Sequence, residues 1–150
     1  MAQFKSEQFL PTTIDKAWDF FSSPGNLNLI TPENMRFTIK TELPEKVFTG
    51  LLISYKVSPV PLIRFNWTTK ITGVNEPYYF IDEQIRGPYK IWRHEHQFRE
   101  INGGVLMTDI VTYEIGKYFF GWLAGKLFVH RKVKEIFNYR YSKLEELFPK

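Results

Sequence analysis

Residues 91–115, IWRHEHQFREINGGVLMTDIVTYEI, constrain what this chain can fold into more than any other stretch. Trp92, His94, His96 and Phe98 alternate with Arg93, Glu95, Gln97 and Arg99. Successive strand residues point to opposite faces, so the first four share one face and the polar four share the other. The charged row belongs in water, which leaves two imidazoles facing inward between two aromatic rings. Asn102-Gly103 is a two-residue hairpin signal, expected as a type I′ turn with positive φ at both central positions. In that register Ile101 faces Gly104, Phe98 faces Met107, His96 faces Asp109, His94 faces Val111 and Trp92 faces Tyr113. Opposed side chains of an antiparallel pair interact, so His96 and Asp109 are expected as an inward imidazole–carboxylate pair. A slip of one residue, for which a bulge at Gly104 leaves room, would undo the pairing.

The flanking sequence supplies the rest of a sheet and its cover. Residues 3–10 read as a first strand, in which Phe4 and Phe9 have opposite parity, consistent with a bulge or with a changed facing. Pro11 breaks it, and Thr12 or Thr13 caps a short helix with Ile14, Ala17, Trp18 and Phe21 at helical spacing. Asn26–Ile30 gives a second helical turn. Strands are expected over Met35–Glu42, Leu51–Val57, 64–74 and Tyr78–Arg86. In the last of these Asp82, Gln84 and Arg86 alternate with Ile81 and Ile85; the polar three either face the cavity or form the solvated face, and period-two reasoning favours solvent. Beyond Gly116 the period changes to 3.6. Val129, Val133, Ile136, Phe137, Arg140, Leu144 and Phe148 then form one stripe of a helix over 118–148. Helices segregated from a run of strands indicate an α+β domain. The expected architecture is an antiparallel curved sheet of six to seven strands wrapped around a long C-terminal helix, with a cavity between them.

Composition narrows the function classes. A chain of 150 residues suits one domain spanning 1–150. Aromatic residues reach 17%, which fits either an aromatic core or large side chains lining a space. Cysteine is absent, so disulfides and thiolate metal sites are excluded. The formal charge of +4 is mild and dispersed, which argues against nucleic acid as a partner. No basic-then-apolar leader and no long apolar run appear, and the expected location is cytoplasmic. The apolar segment YFFGWLAGKLFV (118–129) precedes the basic HRKVK. It reads as the start of the long helix, with Gly121 and Gly125 giving a flexible gate; contact with a membrane surface is the less favoured reading.

This element order is the helix-grip arrangement, and the chain resembles the START-like superfamily, also called SRPBCC. The resemblance covers essentially all of the chain. Its more specific part is similar to a bacterial subgroup carrying the strings GPYKIWRHEHQF (87–98), LMTDIVTYEI (106–115) and IFNYR (136–140). The superfamily includes birch-pollen-allergen proteins, lipid-transfer domains and polyketide cyclases, and some members of the subgroup are labelled cell-division-inhibitor-like or are fused to nucleotide-sugar epimerase-like domains. The resemblance implies an internal hydrophobic cavity for a small apolar molecule. Ile115 runs directly into Gly116-Lys117 where relatives often carry a Pro-Gly turn, so the entrance loop is not inferred from them.

Three readings of the chemistry follow. In the first, Phe37, Ile39, Trp67, Trp92, Phe98, Val111, Tyr113 and Phe137 line the cavity of a protein that binds a small hydrophobic or amphipathic molecule. His94, His96 and Asp109 orient its polar group, and Arg140, inside the apolar stripe, pairs with Asp109 or snorkels along the sheet edge. In the second, His96 and Asp109 are the acid–base pair of a cyclase or dehydratase. In the third, the chain is an interaction module acting through Phe119–Trp122. A purely structural buried pair at His96 and Asp109 competes with all three. His94 and His96 with Asp109 would give three metal ligands, but the tighter spacings that mark zinc sites are missing, and neither metal nor cofactor is expected.

Overall fold

The structure is a computed structural model that describes residues 1–60, 63–116 and 122–150. Strand β1 (Ala2–Leu10) is followed by helix α1 (Ile14–Phe21) and two 3-10 turns, Pro24–Ile30 and Glu33–Met35. Six strands come next: β2 (Thr38–Ile39), β3 (Leu52–Val60), β4 (Ile63–Asn75), β5 (Tyr79–Arg86), β6 (Tyr89–Ile101) and β7 (Gly104–Ile115). Helix α2 (Trp122–Leu147) closes the chain. The sheet order is β1-β7-β6-β5-β4-β3-β2, with every neighbouring pair antiparallel. The expected α+β helix-grip architecture is therefore the observed one. No helix among the described residues is long and apolar enough to cross a membrane. Residues 119–121 of the expected Phe119–Trp122 surface, and with them the Gly121 hinge, lie outside the described residues.

The β6–β7 register is the expected one, from Ile101 opposite Gly104 to Trp92 opposite Tyr113. The turn differs in type. Gly103 has φ +86°, but Arg36 is the only non-glycine with positive φ among the described residues, so Asn102 is not left-handed. That excludes type I′ and matches the φ signs of a type II turn. Strand β1 also pairs with β7 without a bulge. Phe9 turns outward there and its ring lies over Gly104, where a Cβ would run into the Leu10 carbonyl and meet the Phe9 ring at 2.7 Å. Gly104→Ala is therefore expected to destabilise the fold by about 2 kcal/mol, because the backbone on one side cannot yield as a flexible side chain would. Urea unfolding would check this, and a loss under about half a kcal/mol would show that β1 shifts freely.

Packing follows the two periodicities. Thr13 accepts a hydrogen bond from the Lys16 amide at 3.2 Å and caps α1. The helix lays Ile14, Ala17, Trp18 and Phe21 on the sheet, with Trp18 edge-on to both Phe80 and Phe98. Helix α2 buries Val129, Val133, Phe137, Arg140 and Leu144 from the stripe that its sequence marks. Phe4 of β1 packs on Phe137 at 4.8 Å, and Gln8 donates to the Tyr141 carbonyl at 2.9 Å, so α2 is tied to the sheet edge. The expected strand over 35–42 shrinks to two paired residues. Arg36 is left-handed (φ +51°) and ends the preceding 3-10 turn, so only Thr38 and Ile39 pair with β3 as a strand, and the Lys40 amide adds one bond to the Ser54 carbonyl at 2.8 Å.

Candidate functional site

A cavity of about 180 Å³ lies between the concave face of the sheet, α2 and the 3-10 turns. Its wall is largely aromatic. Tyr55 stacks on Trp67 at 5.9 Å and touches Phe37 at 4.7 Å, while Trp67, Tyr89 and Trp92 form a mutually packed trio. These residues line the cavity because they alternate inward along β3, β4 and β6, and α2 adds Ile136, Phe137 and Arg140 from one face. Of the residues expected to line a pocket, Phe37, Trp67, Trp92, His94, His96, Phe137 and Arg140 border this one.

Ile39, Phe98, Asp109, Val111 and Tyr113 do not border it. Phe98 faces inward but is covered by Trp18 and Phe21. Val111 and Tyr113 are buried with Val129 and Val133 under α2. Tyr113 also hydrogen-bonds His130, which stands on the exposed side of the helix and does not reach the other two histidines. Ile39 is half-buried in β2. Asp109 sits behind the histidines, 2% exposed.

The polar end of the cavity is a cluster of Asp82, His94 and His96, with Asp109 and Arg140 behind it. The Cα pairs are Asp82 opposite His94 and His96 opposite Asp109, but the hydrogen bonds run diagonally. His94 Nε2 is 2.7 Å from Asp109 Oδ1, and His96 Nε2 is 2.7 Å from Asp82 Oδ2. The expected direct bond between His96 and Asp109 is replaced by a 3.5 Å approach of Nδ1 to Oδ1. The crossing brings the two imidazoles into a stack at 3.7 Å, and Phe80 stacks on the far side of His96 at 4.0 Å. Arg140 reaches Asp109 with Nη2 3.9 Å from Oδ1 and rests over the Phe137 ring. It pairs with the carboxylate, then, and does not snorkel outward.

Asp82 is the residue that period-two reasoning places in solvent. It faces inward with Phe80 and Gln84, while Ile81 and Ile85 turn outward; Ile81 covers Gly73 and Ile85 is 57% exposed. Gln84 uses both ends of its amide on the Tyr89 backbone, at 2.7 and 3.1 Å, and so closes the β5–β6 turn from inside. The signal for Asp82 was its shared parity with Phe80.

Burial and charge set the protonation states. Burial drives the Asp109 carboxyl upward, but the Arg140 charge and the His94 hydrogen bond outweigh it and hold the group well below the usual carboxylate range. Burial likewise opposes ionisation of Asp82, and the His96 hydrogen bond with the His94, His96 and Arg140 charges brings it below its ordinary value. His96 is lowered to about 4, chiefly by burial and then by His94, against the pull of both carboxylates. At neutral pH His96 is therefore an uncharged imidazole between two carboxylates.

One ligand atom from each of Asp82, His94 and His96 lies within 4.8 Å of the others. The carboxylate that converges with the two histidines is thus Asp82, not the Asp109 that strand pairing singled out.

No family model matches the chain, and no curated protein matches it. Solved structures do match over nearly its whole length. TTHA0849 from Thermus thermophilus superposes with a TM-score of 0.73 at 16% identity, covering 97% of this chain and 95% of that one. Ara h 8.0201 gives a TM-score of 0.63 at 15% identity, over 97% and 98%. A nucleoside-diphosphate sugar epimerase from Corynebacterium glutamicum gives 0.67 at 22% identity, over 95% of this chain but 28% of that one. At such identities the likeness speaks to the backbone, and with the sheet order and the long closing helix it shows that this chain has the helix-grip, START-like fold.

Proposed function

We propose that the protein binds a small, compact amphipathic molecule, with its apolar body against the Tyr55–Trp67–Trp92 wall and its polar group at His94, His96 and Asp82. The observation that carries this reading is an apolar cavity with a single polar end whose charges are braced from behind by Asp109 and Arg140. The volume of about 180 Å³ limits the ligand. An apolar cavity of about 150 Å³ holds benzene, so the match is to one or two rings and not to a long-chain lipid.

The acid–base reading is weaker on a physical ground. A histidine with its pKa at about 4 is a poor proton acceptor at neutral pH, and catalytic bases are tuned toward the working pH. The test is native mass spectrometry of the gently purified protein, followed by solvent extraction and uptake of small aromatic amphiphiles. A bound compound of defined mass is expected. Ile136→Trp, which fills the cavity from α2, should lower uptake at least about tenfold with thermal unfolding little changed. Uptake that is absent in the wild-type protein, or identical in the variant, would reject the cavity as a binding site.

A further inference from the structure

Asp82, His94 and His96 have an unresolved pairing that a hydrogen-bond network alone does not settle. Each imidazole stands between the same two carboxylates. His94 turns Nε2 to Asp109 (2.7 Å) and Nδ1 to Asp82 (3.9 Å); His96 turns Nδ1 to Asp109 (3.5 Å) and Nε2 to Asp82 (2.7 Å). A neutral imidazole carries one N–H. If His96 donates to Asp82, its bare Nδ1 faces Asp109, and that nitrogen is buried without a hydrogen-bond partner. One buried lone pair, on His96 Nδ1, therefore faces the Asp109 carboxylate at 3.5 Å with no hydrogen bond between them.

We propose that Asp82, His94 and His96 bind a divalent transition-metal cation at the polar end of the cavity. With the cation between Asp82, His94 Nδ1 and His96 Nε2, the His96 proton moves to Nδ1 without net loss. Both imidazoles then donate to Asp109 and present lone pairs to the metal. Histidine ligands that donate their second N–H to a carboxylate are the usual outer shell of such sites, and here Arg140 fixes that carboxylate in turn. Two imidazoles and a carboxylate with no thiolate suit zinc, iron, cobalt or nickel, and three protein ligands leave coordination positions open toward the cavity. The inference goes beyond ligand binding and does not depend on it, since the metal alone is the probe.

The experiment uses full-length protein without an affinity tag, stripped with EDTA and dialysed, then titrated with Zn²⁺ by calorimetry and with Co²⁺ by visible absorption. One equivalent of metal is expected, with Co²⁺ bands of low-symmetry coordination and displaced imidazole nitrogen signals for His94 and His96 but not His130. His94→Ala and Asp82→Asn should abolish the stoichiometric site, and Asp109→Asn should weaken it about 10–100-fold. The nitrogen signals are read on the wild-type protein, so a variant that fails to fold leaves the test intact. Absence of stoichiometric binding, or binding that leaves the His94 and His96 signals in place, would overturn the site.

Discussion

Replacing Asp109 with alanine is expected to lower the unfolding free energy by about 4 kcal/mol, the largest loss of any single change in the polar cluster. Asp109 is buried, accepts the His94 hydrogen bond at 2.7 Å and lies 3.9 Å from the Arg140 guanidinium, itself only 7% exposed. Truncation leaves that guanidinium buried without its nearest counter-charge and His94 without its acceptor. The cost of an uncompensated buried charge, about 3–5 kcal/mol, outweighs the lost packing of one short side chain. The companion result separates charge from packing. Asp109→Ala combined with Arg140→Met removes both charges, and should recover at least about half of the loss, because no guanidinium is then left buried without its carboxylate, while His94 still lacks its acceptor. Urea midpoints for the two single variants and the double variant decide it. Strict additivity would mean that Asp109 and Arg140 do not interact across their 3.9 Å gap.

The parts of this arrangement that follow local rules were legible in the sequence. The β6–β7 register rests on the Asn-Gly turn and an unbroken alternation, and the α2 stripe rests on a 3.6 period carried from Val129 to Leu144. What lay on each face was less legible. Phe98, Val111 and Tyr113 face inward as their parity requires, yet helices cover them, and parity carries no information about cover. The partner choice at the cluster was also hidden. Register fixes where Cβ atoms stand, but the diagonal reach of the imidazoles and their 3.7 Å stack decide which carboxylate each one meets. Asp82 escaped for a different reason. The β4–β5 ladder shifts register twice, at Thr68/Thr69 and at Ile71/Gly73, and the isoleucines of β5 stand on the outer face. A rule that sends polar residues outward fails where the interior holds a polar site, and that failure is itself a pointer to the site.

Acid should unfold the protein earlier than its carboxylates alone require, and His96 is the cause. Its folded pKa is about 4, against about 6.5 in an unfolded chain. Between those two values the unfolded state binds a proton that the folded state does not, so stability rises with pH across the window and falls as acid is added. The full span corresponds to about 3 kcal/mol, complete near pH 4. Asp82 and Asp109 act in the same direction lower down, since both are held below their ordinary values and their contribution is lost as pH falls through the folded pKa. The groups facing His96 are Asp82, His94 and Asp109, with Phe80 stacked on its ring, so its charging would place a cation beside a second imidazole and against an aromatic face. The informative quantity is the difference between wild type and His96→Gln, measured by urea unfolding from pH 7 to pH 4 with a chelator present. The glutamine amide can still donate to Asp82 but does not titrate. The wild-type stability should drop by about 3 kcal/mol more than the variant's as pH falls through the window, whatever their offset at pH 7. Parallel curves would place the His96 proton equilibrium at its unfolded value, and with it would go the neutral, doubly flanked imidazole on which the charge balance of the cavity's polar end depends.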